Sequence, residues 1–123
     1  MLDHVSLCVR SFADSKAFYT AALAPIGVKP MFGDDITYCG FGRERPQFWI
    51  GTQSEGRLLS TATHIAISAR SRAEVDAFHA AAIAAGAKDN GKPGLRPHYH
   101  PDYYGAFVID PNGHNLEAVF RGR

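Results

Sequence analysis

Two short stretches of the chain alternate apolar and polar residues in the same way. In Asp3-His4-Val5-Ser6-Leu7-Cys8-Val9, the residues Val5, Leu7 and Val9 fall on one side and His4, Ser6 and Cys8 on the other. In Thr63-His64-Ile65-Ala66-Ile67-Ser68, Ile65 and Ile67 oppose His64, Ala66 and Ser68. Period-two alternation predicts half-buried β-strands, here over residues 2–9 and 63–69. Each strand carries a histidine at the head of its less apolar side.

After each strand the pattern becomes helical. Ser11 stands before the first helical stretch with Asp14 three residues on, and Ser71 with Glu74 repeats the arrangement. A serine oxygen there takes the orphan amides of the first turn. The first helix ends at residue 23 or 24, where Pro25 and Gly27 close it, and the second runs from 72 to about 85, where Gly86 ends it. Phe18 and Ala22 share one face, as do Val75, Phe78 and Ala82. One register carries the likeness from His4 to Ala24: Arg10-Ser11 recurs as Arg70-Ser71, Phe18 as Phe78 and Ala22 as Ala82. The chain is therefore two copies of one unit.

Three strands should complete each copy. In the first they fall at 28–32, 36–41 and 47–52, and a polar stretch at 53–62 links the halves. In the second they fall at 95–99, 103–109 and 114–120. A Gly/Pro/Asn-rich loop is expected at 89–94, a turn at Asp110-Pro111-Asn112-Gly113, and a frayed tail at 121–123. Each half reads β-α-β-β-β. The expected fold is α+β: one domain over residues 1–123, with a first module at about 1–56 and a second at about 57–123. The two modules form a curved, partly open mixed sheet around a cavity, with amphipathic helices on the outside.

Bulk properties narrow the function only by exclusion. A formal net charge of +1 in 123 residues gives no basis for binding nucleic acid or a membrane surface. No apolar run approaches the ~20 residues of a spanning helix, and no signal peptide is visible. Cys8 and Cys39 have no metal-type spacing and read as reduced thiols of a cytoplasmic protein.

With Asp3-His4-Val5, Thr63-His64-Ile65-Ala66 and the ending from Ala106 through Asp110-Pro111-Asn112-Gly113-His114 to Ala118, nearly the whole chain resembles the vicinal oxygen chelate superfamily. That group includes glyoxalase I, the bleomycin-resistance proteins and the extradiol dioxygenases. Its metal-binding members take a ligand from the first and last strand of each module. The resemblance puts His4, His64 and Glu117 at three of those positions and Trp49 at the fourth. Indole offers only a donor and cannot ligate. Two histidines and a glutamate suit Fe(II) or Mn(II), with Ni(II) or Zn(II) as further candidates. The resemblance also implies a histidine and a tyrosine beside the metal as catalytic groups, for which His98, His100, Tyr103 and Tyr104 are available. Ser6 and Cys8 share His4's side and are expected to line the pocket, with Trp49, Phe48 and Phe107 as aromatic walls.

Three functions stay open. The first is a divalent-metal enzyme, dioxygenase-like, acting on a small molecule chelated through adjacent oxygens. The second is a metal-free binding protein of bleomycin-resistance type. The third is a lyase or isomerase resembling glyoxalase I. Family behaviour implies a homodimer, with the site formed within one chain or across two.

Overall fold

The computed structural model describes residues 1–54, 56 and 58–122; Glu55 and Arg57 of the expected linker and Arg123 of the expected tail lie outside the described residues. In chain order the elements are β1 (Val5–Val9), α1 (Phe12–Leu23), a 3₁₀ turn (Ala24–Ile26), β2 (Lys29–Gly33), β3 (Tyr38–Gly42), β4 (Phe48–Thr52), β5 (His64–Ser68), α2 (Arg72–Ala84), β6 (Lys88–Leu95), β7 (Tyr104–Ile109) and β8 (Asn115–Phe120). The two β-α-β-β-β copies are there. So are both caps: Ser11 Oγ accepts from Asp14 N–H and Ser71 Oγ from Glu74 N–H.

Each copy makes its own four-stranded mixed sheet, ordered β1-β4-β3-β2 and β5-β8-β7-β6. Among the described residues no strand of one sheet pairs with a strand of the other, so β1 and β5 are both edge strands. The expected curved sheet is thus two sheets in a single chain. The first strand of each copy pairs in parallel with the last, Val5 opposite Phe48 and His64 opposite Asn115.

Both helices lie on the same side of the strands. Phe18, Leu23, Val75 and Phe78 pack with Leu7, Val9, Ile50, Val108 and Leu116 in one buried cluster drawn from both copies. Alternation then sends the intervening residues to the helix-free face.

A buried polar joint fastens the copies together. Tyr19 of α1 donates its phenol proton to the Asp110 carboxylate, and Asn112 Nδ2 donates to Ser15 Oγ at 3.0 Å. The Arg10 amide donates to Asn112 Oδ1 at 2.9 Å. Asp110 also accepts from the amides of Asn112 and His114, each at 2.8 Å, which closes the turn before β8. These groups are nearly inaccessible, and buried polar atoms persist where they are paired.

Three elements differ from expectation by two residues or more. β1 begins at Val5, which leaves His4 ahead of the strand. β3 begins at Tyr38 because the Asp34 carboxylate gathers the amides of Ile36, Thr37 and Tyr38 into a turn. The largest difference is β6. It occupies 88–95, where a loop was expected, and 97–99 form a turn where a strand was expected. β6 is an edge strand whose register shifts between Asp89 and Gly91 and again between Gly91 and Gly94. Edge position and bulges accommodate its glycines and Pro93.

Candidate functional site

The helix-free face of the second sheet carries a chain of polar contacts. His64 heads β5, and Glu117 lies on the neighbouring β8 on the same face. His64 Nε2 is 2.8 Å from Glu117 Oε1. The other oxygen, Oε2, accepts the phenol proton of Tyr103. Glu117 is only 1% exposed, while the His64 side chain is half exposed. So a carboxylate is sunk into the sheet with both oxygens engaged, and its imidazole partner opens to solvent. Burial, and then the bond to Glu117, raise the Tyr103 phenol above its ordinary pKa, so it stands as a held proton donor. Gly105 makes the room: a Cβ there would sit 3.1 Å from the Tyr103 ring and 3.4 Å from Glu117 Oε2.

Phe107 pairs with Glu117 across the sheet, and its ring centre is 6.2 Å from that of His64. The same ring also meets Arg96, whose guanidinium carbon lies 5.4 Å over the ring centre. Sequence reasoning overlooked Arg96. It was assigned to a strand in another register, so its face could not be read.

His4 is not part of this chain of contacts. Its Nδ1 is 2.8 Å from the Asp3 carboxylate, and Arg45 donates to that same oxygen. The hydrogen bond from His4, and then the Arg45 charge, hold Asp3 below its ordinary pKa. Among the described residues no three His, Cys, Asp or Glu side chains come together to hold a metal ion. One chain therefore brings together His64 and Glu117 of the expected triad and leaves His4 apart.

The other expected residues divide by position. Tyr104 points the opposite way from Tyr103, to the helix side, where its hydroxyl donates to Asp76 Oδ1 of α2 at 2.7 Å. His98 and His100 do not share a strand face, because they lie in and just after the 97–99 turn. His98 stacks near Tyr99 at 4.2 Å, and Tyr99 meets the edge of Tyr103 at 5.1 Å. His100 Nδ1 accepts from the Asp102 amide. Ser6 is exposed on the first sheet's helix-free face. Cys8 is buried there, with the Ser60 hydroxyl and amide bonded to its backbone. Phe48 packs in the core against Tyr19, at 4.9 Å, and also lines the groove along β5.

Where the second sheet has Glu117, the first has Trp49, stacked on Tyr38 at 6.2 Å with Phe32 at its edge. A Cβ on Gly40 would come within 2.8 Å of the indole, so glycine is required beneath it. The two modules thus present unlike faces, one aromatic and one built on a buried carboxylate.

A groove of about 490 Å³ runs along the free edge of β5 against Val28, Phe41, Arg43 and Gln47 of the first module. His64 is at its rim; Glu117, Tyr103 and Phe107 are not among its walls. None of the helices described is long and apolar enough to cross a membrane.

The same architecture occurs in solved structures. A glyoxalase/bleomycin resistance protein from Albidiferax ferrireducens T118 is 30% identical over 98% of this chain and 99% of its own, with a TM-score of 0.87. The chain belongs to this glyoxalase/bleomycin resistance family, within the vicinal oxygen chelate superfamily. More distant structures share the fold. A glyoxalase-related enzyme from Fulvimarina pelagi is 19% identical, covering 98% of this chain and 87% of that one, with a TM-score of 0.74. A glyoxalase/bleomycin resistance protein/dioxygenase family enzyme from Burkholderia phytofirmans PsJN is 17% identical, covering 97% of each chain, with a TM-score of 0.73. No family model matches the sequence, and no curated protein does.

Proposed function

We propose that this member of the family is a divalent-metal enzyme acting on a small molecule with two neighbouring oxygens, and that His64 and Glu117 supply two of the three protein donors of its metal site. The observation that carries this reading is the buried Glu117 carboxylate with His64 Nε2 at 2.8 Å on the open face. An imidazole nitrogen and a carboxylate oxygen on adjacent strands are a fitting donor pair for Fe(II), Mn(II), Ni(II) or Zn(II). The proton between them is what an ion would replace. The third donor does not fit within one chain, since His4 is held elsewhere by Asp3. A second copy of the chain would present its His4 across the free strand edges, which makes the enzyme a homodimer.

A divalent ion there would polarise the chelated oxygens of the bound molecule. The chain's own residues do the rest. Tyr103 steadies Glu117 and keeps a proton on its phenol beside the site. Phe107 offers a flat apolar wall, and His98 with Tyr99 stands at the entrance next to Tyr103.

The test uses two variants. His4→Ala and His64→Ala should each lose bound Mn(II). Unfolding and refolding the two together should restore part of it, because a mixed pair keeps one intact site. Retention of metal by His4→Ala, or no recovery on mixing, contradicts a site shared between copies.

One observation favours a second reading. Phe32, Tyr38 and Trp49 form an aromatic platform at the position equivalent to Glu117. A metal-free binding protein would hold a planar ligand there and perform no chemistry. Quenching of Trp49 fluorescence by a planar ligand in metal-free protein, with no metal uptake, would support it.

A further inference from the structure

Arg96 sits on the same open face as Glu117 and is held in an unusual way. Its Nη1 donates to the Gly94 carbonyl at 2.9 Å and to the Leu95 carbonyl at 3.5 Å, and its Nη2 donates to the Lys92 carbonyl at 2.8 Å. The guanidinium lies over Phe107, where the ring's negative face favours a cation. β6 is shaped around it. A Cβ on Gly94 would be 3.2 Å from Nη1. One on Gly91 would be 3.2 Å from Nη2 and 3.0 Å from the Phe107 ring. Gly91 also has φ +153°, a backbone state that side chains disfavour. Two glycines and a flat ring thus make a berth for one guanidinium.

Among the described residues no carboxylate neutralises the charge in that berth, although Arg45 pairs with Asp3 and Arg70 with Glu74. Of its five N–H donors, the three carbonyl bonds account for three, and the Nε–H has no partner among the described residues. A fixed, unneutralised fork of donors is suited to a carboxylate, which can take two parallel hydrogen bonds.

We propose that Arg96 is the anchor for a carboxylate on the ligand, so that the molecules this site accepts are carboxylic acids with a flat or compact body lying along Phe107 between Arg96 and His64. This rests on the reading of this face as the ligand site and adds the charge class of the ligand. A ligand that placed its anion at the His64 end would meet the buried Glu117 carboxylate, and one anchored at Arg96 places its anion over Phe107 instead.

The test is an amide-resolved NMR titration with benzoate and with benzamide, which share shape and differ in charge, on metal-free protein and on protein loaded with Zn(II). Benzoate should shift the amides of Gly91, Gly94 and Phe107, and benzamide should do so much less. Arg96→Met, which keeps the side-chain stem, should weaken benzoate by about tenfold or more, as expected for loss of a charge-assisted pair, and leave benzamide unchanged. Arg96→Lys should fall between the two. Equal binding of benzoate and benzamide, benzoate binding unaffected by Arg96→Met, or no benzoate binding in either form of the protein overturns the proposal. Benzoate can itself coordinate an open Zn(II) position, so its binding to the metal-free protein is the arm that judges Arg96. A failure of Zn(II) to load at His64 and Glu117 therefore contradicts the metal reading while the benzoate result still judges Arg96.

Discussion

Neighbouring tyrosines show what one residue of register decides. Tyr103 reaches Glu117 on the open face and Tyr104 reaches Asp76 on the helix side. From the sequence both were available to the site, because period two separates them only once the strand's phase is known. His64 and Glu117 were legible, since the repeat fixes their phase twice. Arg96 was not, because nothing in Gly91-Lys92-Pro93-Gly94-Leu95 reads as a strand. Tyr103 also carries a prediction. In Tyr103→Phe the buried Oε2 of Glu117 loses its donor, which costs about 1–3 kcal/mol. Urea denaturation should show that loss in the metal-free protein, and added Zn(II) should narrow it if the ion takes over the freed carboxylate. An unchanged midpoint would mean that Tyr103 and Glu117 do not depend on each other.

Elements with strong local signals were the ones that the sequence placed well. The serine caps, the alternating β1 and β5, and the Asp110-Pro111-Asn112-Gly113 turn all appear near their expected positions. β6 failed because its glycines serve a side chain, Arg96, and a neighbouring ring, which local propensity does not encode. The turn before β8 does more than reverse the chain. Asp110 and Asn112 reach across to Tyr19, Ser15 and Arg10 of the other module, so the turn also sets how the two units meet. Asp110→Ala would strand a buried phenol and two backbone amides at once. We expect a loss of about 2–4 kcal/mol by denaturant unfolding, against a smaller loss for a Pro111→Ala change in the same turn. Equal effects would mean that the cross-module bonds add nothing to the turn itself.

At the scale of the whole molecule, one core draws on both modules while the two sheets stay separate. The sequence pointed to two like units and to a shared sheet around a cavity. It could not say that β1 and β5 would both be edge strands in one chain, because alternation reports which face is buried and not which strand lies alongside. The consequence is chemical. His4 and His64 are equivalent in the repeat, yet only His64 meets a buried carboxylate on the neighbouring strand, because the first module has Trp49 where the second has Glu117; His4 pairs with its exposed sequence neighbour Asp3. The proposed metal site therefore needs a second chain to complete what one chain begins. The most direct check is the metal content of protein reconstituted anaerobically with Fe(II), Mn(II), Ni(II) or Zn(II), beside a Glu117→Gln variant. The account predicts close to one ion per chain in the wild type and loss of that ion in the variant. No uptake of any of the four metals, or uptake that Glu117→Gln leaves unchanged, would contradict it.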